Sequence, residues 1–132
     1  MTYPEALQYL DSFTNYENKN SYDYNKSFSL GRIKALASSL GNPQDEVRSI
    51  HIAGTKGKGS TAAIIYSILK EAGFKVGLYT SPHLVSFRER IRINDSLISE
   101  DDIGRILERI KEALAGFKDA PTVKGLQRSR QS

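Results

Sequence analysis

Apolar residues recur at helical spacing in four stretches of the chain, and polar or glycine-rich segments separate these stretches. The spacing of three and four residues predicts helices over residues 3–12, 30–40, 60–72 and 99–117. Thr2, Ser29 and Ser99 precede three of these helices, and a hydroxyl there can accept a hydrogen bond from an N–H group that the first turn leaves open. The pattern therefore predicts a chain that contains several amphipathic helices.

Shorter stretches are rich in residues that favour strands. Arg48–Ala53 and Lys75–Thr80 flank the third predicted helix, and short connections join the three elements. A strand, a helix and a strand in this order form a β-α-β unit, in which the two strands are parallel and the crossover is right-handed. Arg90–Ile93 alternates charged and apolar residues, and the turn pair Asn94-Asp95 predicts a hairpin with Ser96–Ile98. We therefore expect an α/β fold with a parallel sheet and flanking helices.

Two segments show neither the helical nor the strand periodicity of apolar residues. Residues 13–28 contain asparagines and tyrosines, and a loop of this length is usually functional or disordered. Two interpretations are open: a mobile surface loop, or a substrate loop that lays aromatic rings against a flat ligand. Residues 118–132 carry four basic residues and one acidic residue, which predicts a basic, disordered tail after a domain that spans residues 1–117.

The composition narrows the classes of function. The net charge is +4, from 19 basic and 15 acidic residues, which suits an anionic ligand such as a nucleotide. No basic face interleaved with aromatic residues lies outside the tail, so we expect no nucleic-acid partner. The absence of cysteine excludes disulfides and thiolate metal sites. No apolar run approaches the ~20 residues that a membrane helix needs, and the N-terminus lacks the features of a secretion signal. We therefore expect a cytoplasmic protein without a membrane partner.

The candidate site is the loop Gly54–Ser60, between a predicted strand and a predicted helix. Its three glycines allow the backbone to turn N–H groups onto an anion at close range, and the start of the helix adds partial positive charge. Lys58 brings a full charge to phosphates, and a hydroxyl of Ser60 or Thr61 can complete the shell of a magnesium ion.

This loop differs in two ways from the general phosphate-binding pattern G-x-x-x-x-G-K-[ST]. The position of the first glycine in that pattern holds another residue here. In addition, Gly59 separates Lys58 from the hydroxyl of Ser60. A loose match of glycine and lysine is common by chance. The flanking strand and helix favour the assignment because they supply the context that phosphate binding needs.

Ligands of such sheets bind beyond the carboxyl ends of the strands, so Gly54–Ser60 and Thr80–His83 are expected to converge on one site. From spacing alone, Ser81 is either a turn residue before a proline or a hydroxyl near bound phosphate. His83 either contacts a ligand or fixes the turn. His51 lies in a predicted strand, where a packed side chain is commoner than a ligand. Arg32 is either a solvated helix charge or a functional residue.

Two sequence blocks resemble the folylpolyglutamate synthase and dihydrofolate synthase family, relatives of the Mur ligases. The loop Gly54–Ser60 reads G-T-K-G-K-G-S and is similar to the family's G-T-N-G-K-G-[ST]. The second block is Val76–Leu84, followed by Phe87–Ile93. The resemblance covers residues 1–117 and only the beginning of the family's much longer chain. It implies an N-terminal fragment that holds an incomplete P-loop-type ATPase domain.

The resemblance also implies a function and a set of site residues. The family's reaction is an ATP-dependent amide ligation that adds glutamate to folate or dihydropteroate through an acyl phosphate. ATP and Mg²⁺ would be the cofactors, folate or dihydropteroate and L-glutamate the substrates, and the protein a monomer. Nucleotide contacts are expected from Gly54, Thr55, Lys56, Gly57, Lys58, Gly59, Ser60 and Thr61, with Lys58 as the catalytic residue. Metal contacts are expected from Ser81 and Ser60, and substrate contacts from Asn25, Lys26, Ser27, Phe28 and His83.

Lys56 departs from the family's asparagine and adds a second positive charge to the loop. The family's later glutamate and histidine metal ligands, its carbamylated lysine and its C-terminal domain have no counterpart here. We therefore expect little or no ligase activity from the chain alone. Another P-loop phosphotransferase and a non-catalytic nucleotide-binding fragment stay open as alternatives, and so does the choice between a monofunctional and a bifunctional folate enzyme.

Overall fold

The structure is a computed structural model that describes residues 1–13 and 30–116. Within these residues the helices are α1 (Tyr3–Asp11), α2 (Leu30–Ser39), α3 (Lys58–Glu71) and α4 (Glu100–Ala115). The strands are β1 (Gly77–Tyr79), β2 (Ile91–Ile93) and β3 (Ser96–Leu97), and short 3₁₀ helices span Pro43–Glu46 and Phe87–Arg90. The chain divides into two compact units. One comprises Met1–Arg48 with Ile103–Ser132, and the other comprises Ser49–Asp102.

The first unit is helical, and its first helix begins at a capping box. The hydroxyl of Thr2 accepts a hydrogen bond from the Glu5 N–H at 3.5 Å, and the Glu5 carboxylate accepts one from the Thr2 N–H at 2.7 Å. This reciprocal pair satisfies two donors that the helix end leaves open, and it holds the pKa of Glu5 below its usual value. Ala6 of α1 is fully buried. The predicted helix over residues 3–12 is confirmed.

Helix α4 supplies the other buried apolar residues of the first unit, Ile103 and Leu107. A methyl group at Gly104 would collide with the carbonyl oxygen of Met1, so the N-terminus lies directly against this helix. The N-terminal ammonium forms an ion pair with Glu108 at 2.9 Å, which lowers the pKa of that carboxyl. The Ser99 hydroxyl accepts a hydrogen bond from the Asp102 N–H at 3.0 Å, as the predicted cap requires.

The second unit contains an antiparallel sheet in the order β1-β2-β3. Gly77 pairs with Ile93 and Tyr79 with Ile91, while β2 continues into β3 by a hairpin in which Ile93 pairs with Ser96. Asn94 has a left-handed φ of 50° in the turn, a conformation that asparagine tolerates better than most residues. The predicted hairpin is confirmed, but the pairing of β1 with β2 was not predicted.

The predicted strand Arg48–Ala53 is wrong for this structure, because these residues form no strand. The parallel pairing of this segment with Lys75–Thr80 is likewise absent from the described residues, and only Gly77–Tyr79 of the second segment is a strand. An extended segment becomes a strand only where another segment offers a ladder of hydrogen bonds. Gly77–Tyr79 finds such a ladder in Ile91–Ile93, whereas the earlier segment finds none among the described residues.

Helix α3 is most deeply buried at Tyr66. Ile64 and Ile68 are each 62% exposed, whereas Tyr66 is only 8% exposed. Ile65 and Leu69 are half-buried, and the helix contacts β1. The helix ends as predicted, since Gly73 has φ +87° and its N–H donates to the Lys70 carbonyl at 2.9 Å.

Three predictions fall on residues outside the described ranges: the aperiodic loop over most of residues 13–28, the Ser29 cap and the tail over residues 118–132. Helix α2 lies within its predicted range. Gly41 and Asn42, both with left-handed φ, follow it before Pro43. No helix among the described residues is long and apolar enough to cross a membrane.

Candidate functional site: a glycine-rich loop at a helix start

The candidate loop leads directly into α3, two residues earlier than the sequence predicts. Gly57 is the N-cap with φ +74° and ψ 3°, in the left-handed region that glycine adopts without steric cost. The Thr61 N–H donates to the Gly57 carbonyl at 2.9 Å, which is the first hydrogen bond of the helix. The predicted start at Ser60 is therefore wrong, because the left-handed glycine turns the chain into the helix at Lys58.

The early start leaves the amides of Lys58, Gly59 and Ser60 in the first turn of α3, where an α-helix offers them no acceptor. None of these amides donates to another described residue. Every residue from Ala53 to Thr61 is exposed. Because the partial positive charge of the helix end adds to these donors, the start of α3 is suited to an anion such as a phosphate.

Lys58 folds back over the loop. Its ammonium group donates a hydrogen bond to the Gly54 carbonyl at 2.8 Å, so the two ends of the loop are joined by a side chain. The full charge is therefore held at Gly54, within the same loop, where it adds to the attraction for an anion. Lys56 is exposed and makes no hydrogen bond or ion pair with the described residues.

Helix α3 contacts strand β1. Lys70, in the last turn of α3, forms an ion pair with Asp95 at 2.6 Å, and Asp95 follows Ile93, which pairs with the first residue of β1. The end of α3 therefore lies near the start of β1. The convergence of Gly54–Ser60 and Thr80–His83 on one site stays a prediction, and no hydrogen bond joins the two segments among the described residues.

The turn Thr80–His83 is held by the segment that follows it. The Thr80 N–H donates to the Arg90 carbonyl at 3.0 Å. The peptide bond between Ser81 and Pro82 is cis, and the Ser81 side chain is exposed. His83 is half-buried, and its Nδ1 accepts a hydrogen bond from Arg90 Nε at 2.8 Å.

Glu89 fixes the backbone beyond this turn. Its carboxylate accepts hydrogen bonds from the N–H groups of Leu84, Val85 and Ser86 at 2.9, 3.0 and 2.7 Å. These backbone donors hold the pKa of Glu89 below its usual value. The roles of Glu89 and Arg90 were not predicted, although the spacing Ser86-x-x-Glu89 is a capping-box signal that the sequence carries.

The donor set for a magnesium ion consists of hydroxyl oxygens. Ser60, Thr61 and Ser81 are exposed, whereas the described residues include no group of three or more histidine, cysteine or acidic side chains that could hold a metal. Magnesium in nucleotide sites is usually bound by substrate phosphates, waters and one or two protein groups. These residues therefore fit an ion that is carried mainly by phosphates.

The remaining candidates differ in placement. Asn25, Lys26, Ser27 and Phe28 lie outside the described residues. His51 is exposed and contacts no charged or aromatic partner among the described residues. Arg32 is half-buried, and its Nε is buried without a hydrogen-bond partner in the described part of the chain.

Known proteins with similar sequence and structure are named as folylpolyglutamate or dihydrofolate synthases. The dihydrofolate synthase/folylpolyglutamate synthase of Bacillus subtilis is 40% identical over 104 residues, which is 75% of this chain and 24% of the relative. A crystal structure of the Thermotoga maritima folylpolyglutamate synthase is 42% identical with a TM-score of 0.74, over 89% of this chain and 25% of that one. A complex of FPGS with AMPPCP and folate is 35% identical with a TM-score of 0.76, over 90% of this chain and 27% of that one. No protein-family model matches the chain.

The chain is therefore related in sequence and structure to the folylpolyglutamate and dihydrofolate synthases, and the resemblance found in the sequence is confirmed. These relatives are ligases, and solved neighbours hold an ATP analogue. The chain spans about a quarter of the length of the relatives that it matches.

Proposed function

We propose that this chain binds the triphosphate of ATP as part of a ligase that adds glutamate to folate or dihydropteroate. The observation that carries the proposal is the start of α3, where Lys58, Gly59 and Ser60 present open amides and the Lys58 ammonium is held at Gly54 of the same loop. The neighbour that contains AMPPCP and folate supports the choice of ligands.

In the proposed reaction a folate carboxylate oxygen attacks the γ-phosphorus of ATP, and ADP leaves. The product is an acyl phosphate, and the glutamate amine then attacks its carbonyl carbon and releases phosphate. The carboxylate needs this activation because it is charged and lacks a leaving group. The contribution of this chain is positioning and charge stabilisation, with Lys58 and the loop amides offsetting the charge that develops on the transferred group.

Each candidate site residue has a place in this proposal. Thr55 and the loop glycines surround the phosphates, and Lys56 adds a second cation that strengthens attraction for the nucleotide. The hydroxyls of Ser60, Thr61 and Ser81 would help to hold a magnesium ion, which would offset phosphate charge. The folate substrate is contacted by His83 and by Asn25, Lys26, Ser27 and Phe28.

We also propose that Arg48–Ala53 joins a parallel sheet of the P-loop type in the assembled ligase. Ile50 is 62% exposed, as are Ile64 and Ile68 on α3. An exposed apolar side of this kind is commonly covered by another element. Further strands would cover these residues and supply the hydrogen bonds that the segment lacks among the described residues.

Nucleotide affinity of single variants tests the phosphate site. A charge-assisted hydrogen bond contributes about 1.5–3 kcal/mol, so Lys58→Ala should weaken Mg·ATP binding by roughly tenfold or more in isothermal titration calorimetry. Lys75→Ala is the matched control, since Lys75 is also exposed and lies outside the loop. Equal affinity of the two variants would refute the assignment of the loop.

A second candidate function is nucleotide binding without catalysis. It is favoured by the hydroxyl-only donor set, which lacks the clustered acidic or histidine ligands of a complete metal site in the described residues. We propose that the 132-residue chain alone has little or no ligase activity. Formation of ADP and a glutamylated product from folate or dihydropteroate, glutamate and Mg·ATP by the purified chain would contradict this.

A further inference from the structure

Three side chains form a compact cluster beside the turn Thr80–His83. Arg90 Nε donates to His83 Nδ1 at 2.8 Å, and the Arg90 guanidinium carbon lies 5.4 Å from the centre of the Phe87 ring. The imidazole and the phenyl ring meet edge to face, with centroids 5.9 Å apart and an interplanar angle of 65°. The His83 ring is therefore fixed by one hydrogen bond and one aromatic contact.

The direction of this hydrogen bond fixes the position of the imidazole hydrogen. A guanidinium group only donates, so His83 Nδ1 is the acceptor and cannot carry a hydrogen in this arrangement. The ring hydrogen is then on Nε2, because a neutral imidazole has one donor nitrogen and one acceptor nitrogen. Nε2 makes no hydrogen bond to the residues that the structure describes.

The backbone on both sides of His83 is also fixed. The Thr80 N–H is bound to the Arg90 carbonyl, and the Glu89 carboxylate binds the N–H groups of Leu84, Val85 and Ser86. Because the side chain and its backbone are both held, the Nε2–H group has a defined direction before any ligand binds. Preorganisation of this kind reduces the entropy cost of forming a new hydrogen bond.

We propose that Arg90 is a positioning residue that presents the His83 Nε2–H group as a hydrogen-bond donor to an oxygen atom of the bound ligand. The inference rests on the proposed function, in which the turn and the phosphate loop contribute to one site. The acceptor is either a phosphate oxygen of the nucleotide or a carbonyl or carboxylate oxygen of folate. A neutral donor of fixed direction suits either kind of oxygen.

The hydrogen position can be measured directly in the intact chain. The chain has two histidines, so histidine labelled with nitrogen-15 gives one probe ring at His83 and one exposed reference ring at His51. At neutral pH we expect His83 to show an acceptor-type Nδ1 and a hydrogen-bearing Nε2, with shifts that differ from those of His51. A hydrogen on His83 Nδ1, or shifts that coincide with those of His51, would overturn the proposal.

Two substitutions separate positioning from general damage. Arg90→Met removes the donor and keeps a chain of similar length beside Phe87, and Arg92→Met makes the same change at an exposed position of β2. We expect Arg90→Met to move the His83 shifts towards those of His51, and Arg92→Met to leave them in place. Arg90→Lys keeps a donor and should retain the acceptor-type Nδ1. Equal spectra of the two methionine variants would contradict the role of Arg90.

Ligand titrations then identify the acceptor. Mg·AMPPCP and folate are added separately to the labelled chain, and the backbone amides of Gly57–Ser60 report nucleotide binding in the same sample. A shift of His83 Nε2 with one ligand supports the proposal and names the source of the oxygen. Changes at the loop amides with none at Nε2 for either ligand would refute the donor role and leave the proposed function intact. No response at the loop amides or at His83 Nε2 would refute nucleotide binding and the donor role together. The position of the His83 ring hydrogen would still be decided by the measurement on the unliganded chain.

Discussion

Substitution of Gly57 by alanine tests how far the shape of the loop depends on one backbone conformation. Gly57 has φ +74° and ψ 3° at the N-cap of α3, and a Cβ atom there would meet nothing within 4 Å. The cost of Gly57→Ala therefore comes from the backbone alone and should be about 1–2 kcal/mol, the usual penalty of a left-handed conformation for a residue with a side chain.

Urea denaturation of the 132-residue chain measures this cost as a loss in the free energy of unfolding. Gly57→Asn should lose less, because asparagine tolerates left-handed φ. Gly59→Ala should change stability by less than about 1 kcal/mol and in the favourable direction, since Gly59 is helical with open space around it and alanine is the better helix former.

Two results would refute this reasoning. One is a Gly57→Ala variant that is as stable as the unsubstituted chain and also binds Mg·ATP equally well. The other is a Gly59→Ala variant that loses as much stability as Gly57→Ala. If alanine instead relaxes to negative φ, the cap is lost and the amides of the first turn change direction, so nucleotide affinity falls even where stability is retained.

Three further variants test contacts that lie within one or the other of the two units. Glu89 has a lowered pKa, so its contribution to stability is present above its usual value of about 4.5 and is lost as pH falls through the lowered pKa. Unfolding followed by circular dichroism should show a smaller acid-induced loss for Glu89→Gln, and an unchanged pH profile would contradict the contact. Gly104→Ala should destabilise the chain by about 1–3 kcal/mol, because a methyl group collides with the N-terminal backbone, and a stabilised variant would show that the N-terminus lies elsewhere. Asp95→Asn should cost less than about 1 kcal/mol, as exposed pairs do, and the difference should shrink at high salt. A loss that is independent of salt would rule out the ion pair with Lys70 as its cause.

Local signals in the sequence were enough to predict several elements. Thr2 and Ser99 each cap a helix, and Asn94 forms the turn of the hairpin, because each feature depends on residues a few positions apart. The loop Gly54–Ser60 was predicted for the same reason, since glycines and a lysine before a helical pattern are contiguous in the chain.

Predictions that depend on distant partners were less successful. Arg48–Ala53 has strand composition, but a strand also needs a neighbour, and no described segment provides one. The pairing of β1 with β2 depends on residues more than ten positions apart, which periodicity does not specify. The start of α3 at Lys58 depends on the left-handed φ of Gly57, and a glycine permits this conformation without requiring it.

The site shows the same division between local and distant information. The sequence predicts a phosphate-binding role for Lys58, whereas its hydrogen bond to Gly54 requires coordinates. The contact between Arg90 and His83 joins two side chains seven residues apart across a turn. Only the spacing Ser86-x-x-Glu89 offered a local signal for the segment that holds this turn.

Backbone amide shifts during titration with Mg·AMPPCP test most directly whether the start of α3 binds a nucleotide. The largest changes are expected at Lys58, Gly59 and Ser60, with smaller changes at Thr80–His83 and none at Lys75. Saturable changes that are confined to residues outside both segments, or no change at any of these amides, would contradict phosphate binding at this helix start.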